Sequence, residues 1–341
     1  MFVKIEMLDP AVIDDATLAA WHDLDVVLSR EEEPDDEPRS AAQLLLEAQT
    51  PAPEETVTRW LAWDDGRTRA VAYAEAEIKE TQDNRHLGYG WVGVRPEVRG
   101  QGIGTQLFRL VADVVQAGGR TKIHTWCIEG SPSQGFLDKM GGAYVYLARK
   151  SRCLVADIDR ALMQAWVDED RPGYSLVAFD APTPDEHLQA YADILHVMNT
   201  APLQDMDYED EVFTPELLRG WEAQRAARQG SKWVVVARHD ESGVFVGLSE
   251  LMIDGFRDGA VEQGNTGVDP AHRGHGLGRL LKAANALRLL DEKPGAVFID
   301  TFNQDENAPM LAINTEMGFR PHRRYTEYQV PVVDALERTA G

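Results

Sequence analysis

Short runs of alternating apolar and polar positions, and longer runs with apolar residues at helical spacing, follow one another along this chain in an order that occurs twice. In the first half VKIEML is a strand, followed by a helix, an acidic segment and a second helical or extended stretch. Strands then fall near RWLAW, RAVAYAEAEI and YGWVGV, a helix starts at about Gly102, and KIHTWCI, SQGFLDKM and AYVYLAR form strand, helix and strand. The second half repeats this with SLVAFD, helices near DEHLQAYADILHVM and TPELLRGWEAQRAARQ, and strands KWVVVARH, VFVGLSELMI and VEQGNTGV. A helix from Gly276, a strand VFIDTF, a helix NAPMLAINTEM and a strand YTEYQV complete it. The strands are read from Val, Ile, Tyr and Trp enrichment between turn signals such as DDG, DESG and DGFRDG. Several strands followed by one β-α-β crossing predict an α/β fold with a mixed sheet rather than a doubly wound parallel one.

The repetition extends to motifs. GWVGVRPEVRGQGIGTQLFRLVADVV around Arg99 and GNTGVDPAHRGHGLGRLLKAANALRLL around Arg273 share G-V-x-P-x-x-R-G-x-G-[IL]-G, and KMGGAYVYLARK around Gly141 matches EMGFRPHRRYTEYQV around Gly318. Two unrelated glycine-rich loops would not keep both intervals, so the chain is a duplication. The expected domains are 1–160 and 172–341, joined between about 155 and 175, where AYVYLARKSRCLV gives way to RPGYSLVAFD. The segment SREEEPDDEPRS at 29–40 reads as a solvated loop.

A net charge of −23 over 341 residues argues against a nucleic-acid partner, which would need stripes of Lys and Arg. It also means that an anionic ligand must be held by local geometry rather than by the overall field, whereas a cationic amine would be attracted. Cys127 and Cys153 lie outside any CxxC pattern, so neither a disulfide framework nor a zinc site is expected. No basic-then-apolar leader and no apolar run of membrane-spanning length occurs, and the chain reads as cytoplasmic, with no membrane partner.

The glycine-rich turns carry the first chemical signal. A strand ending at Val268, then Asp269 and Pro270, then Arg273, Gly274, His275, Gly276, Leu277 and Gly278 opening a helix, suits a phosphate group. Glycines let successive N–H groups face one anion, and the helix adds its positive end. Arg273 and Arg279 are placed to add charge-assisted contacts. The first half offers Arg99, Gly100, Gln101, Gly102, Ile103, Gly104 and Thr105 in the same frame. The glycines come too late in each half and at the wrong spacing for a dinucleotide fingerprint, and no Gly-Lys-[Ser/Thr] ending marks a nucleoside-triphosphate loop. His272 and His275 flank the turn without a third ligand in sight, so no metal is expected there.

The pattern V-x-P-x-x-R-G-x-G-[IL]-G resembles the pyrophosphate-binding motif of the GNAT superfamily of N-acetyltransferases, and the tandem arrangement resembles that of mycothiol synthase-like and other actinobacterial double-GNAT proteins. The resemblance covers nearly the whole chain. It implies two tandem GNAT-like units, each a mostly antiparallel splayed sheet of about six or seven strands flanked by helices. It also implies acetyl-CoA as co-substrate, direct attack by an amine in a ternary complex, and no metal; the expected acceptor is a small-molecule amine, and the chain is expected as a monomer or homodimer. The pantetheine arm would lie like an extra strand along Thr266 to Val268, or along Val92 to Val94 in the first half.

Acyl transfer to an amine needs a base, a hydrogen-bond donor to the carbonyl oxygen, and help for the departing thiolate. Superfamily members commonly place a Glu base six residues ahead of the last Val of the strand; that position is Glu262 in the second half and Gly88 in the first. Asn303 and Asn307 fall where family members use amides to hold the CoA arm, while Trp126 and Gly130 stand there in the first half. The second half is therefore the expected catalyst and the first a degenerate, structural copy. A family Tyr acting as general acid is replaced by Asn314, with Tyr325 and Tyr328 as other hydroxyl candidates. Glu250 is the second candidate base, and Glu75, Glu77 and Tyr73 share a face in the first half. The acidic stretch LQDMDYEDEVF, with Met206, Tyr208 and Phe213, is either an amine cradle or a surface loop. Two alternatives remain beside amine acetylation: an acetyl-CoA-binding regulatory protein without catalysis, and a mycothiol-synthase-like activity on a cysteinyl amine.

Overall fold

The computed structural model describes residues 3 to 340. The first half builds β1 (Lys4–Leu8), α1 (Asp15–Glu32), α2 (Ala41–Gln49), β2 (Glu55–Trp63), β3 (Ala70–Lys79) and β4 (Leu87–Val94). It continues with α3 (Ile103–Ala117), β5 (Lys122–Ile128), α4 (Pro132–Lys139) and β6 (Ala143–Leu154). After α5 (Arg160–Asp168) come β7 (Tyr174–Asp180), α6 (Asp185–Leu195), α7 (Pro215–Ala227), β8 (Ser231–His239), β9 (Phe245–Ile253) and β10 (Ala260–Val268). The chain ends with α8 (Leu277–Glu292), β11 (Phe298–Gln304), α9 (Ala308–Met317), β12 (Arg320–Pro331) and α10 (Val332–Arg338).

Two compact units result, and they are not the contiguous stretches 1–160 and 172–341. The N-terminal unit comprises Met1–Tyr146, Gln204–Tyr208 and Tyr325–Gly341; the C-terminal unit comprises Leu147–Leu203 and Glu209–Arg324. Its final strand is what each half gives away. In the N-terminal unit the order is β1-β2-β3-β4-β5-β12, with Tyr325–Pro331 antiparallel to β5. In the C-terminal unit it is β6-β11-β10-β9-β8-β7, with Ala148–Leu154 antiparallel to β11. The two exchanged strands stand at the same place in the repeat, and their order along the chain carries no signal of which neighbour each takes.

Within each unit one pair is parallel, β4 with β5 and β10 with β11, and each of these ladders is short. It covers Leu87–Tyr89 in the first and Ala260–Glu262 in the second, after which the strands part. These are the mostly antiparallel, splayed sheets expected of the fold. In the N-terminal unit α3 buries Ile103, Leu107, Phe108, Val111 and Val115 against one sheet face, and α1 and α2 bury Trp21, Leu24, Leu28 and Leu44 on the other. In the C-terminal unit α8 covers one face with Leu280, Leu281, Ala286 and Leu289, while α6 supplies Tyr191 and Leu195 to the other.

The acidic segment is the expected loop only from residue 33 onward. Ser29 to Glu32 form the last turn of α1, and Arg39 bridges Asp25 and Glu47, tying the segment back to both helices. The stretch around Asp207 is also held rather than loose. Lys122 Nζ lies 2.5 Å from Asp207 Oδ2, and the Gln329 side chain exchanges two hydrogen bonds with the Asp207 backbone at 2.9 and 3.1 Å.

Candidate active site

Both glycine-rich turns adopt one conformation. After β10, Asp269 accepts from Ala271 N at 2.8 Å, Pro270–His272 make a single 3-10 turn, and Gly274 and Gly276 sit at φ +86° and +71° before α8 begins. After β4, Pro96–Val98 make the same turn, with Gly100 and Gly102 at φ +78° and +82° before α3. Left-handed backbone excludes most L side chains at little cost to glycine. A Cβ on Gly100, Gly102 or Gly274 would meet nothing within 4 Å, so open space lies over the turns. The first N–H groups of α8 and α3 have no intrahelical acceptor, and an anion is the natural partner for them. Leu277 and Ile103, next in the motif, point into the cores and anchor the helix starts.

The motif arginines do not reach over the turn. Arg99 Nε donates to Val94 O at 2.9 Å and Arg273 Nε to Val268 O at 3.0 Å, so each staples the turn to the last carbonyl of its own strand. Their remaining donors differ. Arg99 is bidentate to Glu31 at 2.7 and 2.5 Å, whereas Arg273 donates to the neutral Thr200 Oγ1 at 2.9 Å. Arg279 pairs with Glu316 at 2.7 Å and lies over the Trp166 ring. His275 is exposed beside Tyr174, whose hydroxyl lies 3.0 Å from His272 Nδ1. Gln101, Thr105, Gly104 and Gly278 complete the two turns.

The electrostatic settings of the two turns diverge accordingly. Arg99 faces Glu31, Glu32 and Glu97. Burial and the neighbouring Glu31, Glu33 and Asp25 push the Glu32 carboxyl up to about 7, against the pull of Arg39. Beside Gly276 the neighbour is instead a cation that sequence reasoning missed. Arg171 Nε and Nη2 come within 3.1 and 3.2 Å of the place a Cβ on Gly276 would take.

Glu262 stands at the last paired position of the short parallel ladder, opposite Asp300 and across from Met252 of β9. Exposed to solvent but closely surrounded by protein, its carboxyl is raised above 4.5 chiefly by desolvation. Asp300 adds to the rise; Arg225, Lys150 and Arg257 oppose it. Beyond it, β10 carries one extra residue: Gln263 faces Leu251 but Thr266 faces Ser249. This bulge opens the strand just where it leaves β11. Along the freed stretch, Gln263 Nε2 donates to Glu250 O at 2.6 Å and to Thr266 Oγ1 at 3.2 Å.

The bulge changes the comparison between halves. The β3–β4 ladder runs without a shift from Ala72–Val94 to Glu77–Tyr89. Counting back from the last Val pairs Glu262 with Gly88, but ladder position pairs it with Tyr89, third in its parallel ladder. Gly88 instead faces α3, where a Cβ would strike Val115 at 2.7 Å. The N-terminal unit thus presents a tyrosine at this place, with Lys79 Nζ 4.8 Å from its ring.

Glu250 is enclosed. It is 1% exposed, accepts from the Tyr191 hydroxyl and from Asn265 N at 3.2 Å, and has Lys232 Nζ at 3.7 Å; that ammonium also donates to Tyr191 at 2.7 Å. A carboxylate so saturated is a structural tie between α6, β8, β9 and the bulge. Asn314 is buried with its Nδ2 donating to Asn303 Oδ1 at 2.7 Å, while Asn307 caps α9 through Met310 N at 3.3 Å. Asn314 and Asn303 therefore meet at the end of β11, while Asn307 stands at the start of α9. Tyr325 and Tyr328 belong to the N-terminal unit, where Tyr325 donates to Glu33 and Tyr328 is buried. Tyr73, Glu75 and Arg59 also lie together there, with Tyr73 donating to Glu75 at 2.6 Å.

Residues 18–141 and 192–319 each match the model of the acetyltransferase (GNAT) family. The chain belongs to that family, and it is an N-acetyltransferase of tandem architecture. A mycothiol acetyltransferase of Tsukamurella paurometabola is 26% identical over 252 residues, covering 69% of this chain and 75% of that protein. Among solved structures, a tandem GNAT protein from the clavulanic acid biosynthesis pathway has a TM-score of 0.79 at 24% identity, covering 97% of this chain and 99% of that one. A GCN5-related N-acetyltransferase from Sphaerobacter thermophilus has a TM-score of 0.67 at 16% identity, covering 97% and 96%. No helix among the described residues is long and apolar enough to cross a membrane.

Proposed function

We propose that the C-terminal unit transfers an acetyl group from acetyl-CoA to the primary amine of a small molecule, with Glu262 as general base. The observation that carries this reading is the place of Glu262: a solvent-reached carboxyl of raised proton affinity, at the point where β10 parts from β11. The turn at Gly274 and Gly276 would hold the donor's pyrophosphate, and the unpaired edge of β10 from Thr266 to Val268 its pantetheine arm. In the reaction the amine forms a bond to the thioester carbonyl carbon, its proton passes to Glu262, and the carbon–sulfur bond breaks with release of the thiolate. Asn314 cannot protonate that thiolate near neutral pH; the amide cluster with Asn303 offers hydrogen bonds instead. The N-terminal turn, faced by Glu31 and Glu32, is the poorer anion site, and the proposed role of its unit is to support the fold.

The mycothiol-synthase-like alternative makes a cysteinyl amine one acceptor to include in a panel of primary amines. Thiol release from acetyl-CoA over that panel tests the reading. With the best acceptor, Glu262→Gln is expected to lower kcat by roughly 10²-fold or more and leave KM for acetyl-CoA near wild type. Wild-type kcat should rise with pH through a limb lying above the ordinary carboxylate range, since the base acts only when deprotonated; the variant should lack that limb. An unchanged kcat in the variant would remove Glu262 from the mechanism.

A further inference from the structure

The segment between α5 and β7 lies against the C-terminal turn, and the side chain of its Arg171 is 5% exposed. Nη1 donates to Trp166 O at 2.7 Å and Glu169 O at 2.9 Å, and Nη2 to Glu169 Oε2 at 2.7 Å. Nε is buried without a hydrogen-bond partner, and it is the nitrogen 3.1 Å from the place a Cβ on Gly276 would take. A guanidinium is thus set beside the residue that opens α8, a helix of 16 residues. Its carboxylate partner Glu169 is 62% exposed, so water screens that partner more than it screens the buried cation. At the matching residue of the other half, Gly102, nothing lies within 4 Å.

A desolvated cation at a helix N-terminus in a strongly acidic protein has a definite electrostatic consequence. The helix supplies partial positive charge from its free N–H groups, and the guanidinium adds a full one at short range and low dielectric. Gly276 permits this twice over, by adopting φ +71° and by having no side chain to keep Arg171 away. We propose that Arg171 is a positioning residue for the diphosphate of the donor substrate, acting through the Gly276 turn and confined to the C-terminal half. This rests on the assignment of that turn as the acetyl-CoA site.

The test compares Arg171→Gln, which keeps hydrogen-bond donors for the Trp166 and Glu169 carbonyls, with Arg171→Lys, which keeps the charge. Acetyl-CoA affinity and kinetics are measured at two salt concentrations, alongside acetyl-pantetheine, a donor without phosphate. Arg171→Gln is expected to weaken acetyl-CoA binding and raise its KM about tenfold, with kcat unchanged and a shallower salt dependence. Arg171→Lys should recover most of this. Use of acetyl-pantetheine should be the same in all three proteins. Equal acetyl-CoA affinity in wild type and Arg171→Gln overturns the proposal, as does an equal loss with acetyl-pantetheine, which marks a merely structural role. Gly274→Glu separates the two levels of inference. If it leaves acetyl-CoA binding intact, the turn assignment itself fails; if it blocks binding while Arg171→Gln does not, only the role of Arg171 fails.

Discussion

Glu262 and Lys282 both titrate away from their ordinary ranges because protein replaces water around them, and the direction follows the charge that is disfavoured. For the carboxyl, desolvation favours the protonated form; for the amine, the neutral one. Lys282 of α8 is 1% exposed, lies 5.1 Å from the Phe319 ring, and is pushed down to about 7 by burial, against a small opposing effect from Cys153. The unfolded chain therefore holds a proton that the folded chain gives up between about 7 and the ordinary lysine range. Wild-type stability should rise with pH across that window. Each tenfold change in proton affinity is worth about 1.4 kcal/mol, so Lys282→Met is expected to be more stable than wild type at pH 7 by up to several such steps. The gain should shrink towards pH 10 in urea titrations. A pH-independent difference would show that the buried charge is not its cause. Nothing in the sequence marks Lys282 as buried: it sits among Leu281, Ala283 and Ala284 on a helix that reads as ordinary and amphipathic.

At the scale of elements, most of the site's supports were legible in the chain and their registers were not. The strand-turn-helix units around Arg99 and Arg273 are where the glycine pattern puts them, because positive φ leaves few residues able to stand there. Counting residues from the last Val misses the ladder counterpart of Glu262, because a β-bulge is one residue long and carries no residue type of its own. The buried tie Tyr191–Glu250–Lys232 also escaped the sequence, since its members lie on α6, β9 and β8 and no spacing links them. Its physical cost is testable. Glu250→Ala leaves Lys232 buried opposite Tyr191 without its carboxylate, and loss of one partner of such a pair typically costs about 3–5 kcal/mol. Chemical denaturation should show a loss of that order. A variant of wild-type stability would mean that Glu250 is free for other work, which would restore it as a candidate base.

For the whole molecule, duplication was plain in the sequence but the exchange of terminal strands was hidden by that same duplication. Strands at matching places in a repeat do not record which neighbour each one takes. The consequence is that the halves are not separable at the repeat boundary. A fragment of residues 172–341 would lack Ala148–Leu154, the partner of β11, and also α5, whose Met163 and Trp166 are buried in the C-terminal core. It would carry Tyr325–Pro331 without β5. Such a fragment is expected to show no sharp thermal transition by circular dichroism. A cooperative transition near that of the full chain would contradict the exchange.

Assignment of the donor site to one half is the claim on which the functional account depends most. Gly100 and Gly274 form a matched pair of probes, at φ +78° and +86° with nothing within 4 Å of a Cβ on either. A carboxylate at either place should carry a similar backbone cost, about 1–2 kcal/mol, and repel phosphate from its own turn alone. Titrating acetyl-CoA by calorimetry into wild type, Gly100→Glu and Gly274→Glu, with folding checked by thermal midpoint, separates the halves directly. The account predicts that Gly274→Glu loses the binding that supports turnover and that Gly100→Glu keeps it. Loss with Gly100→Glu and retention with Gly274→Glu would contradict it.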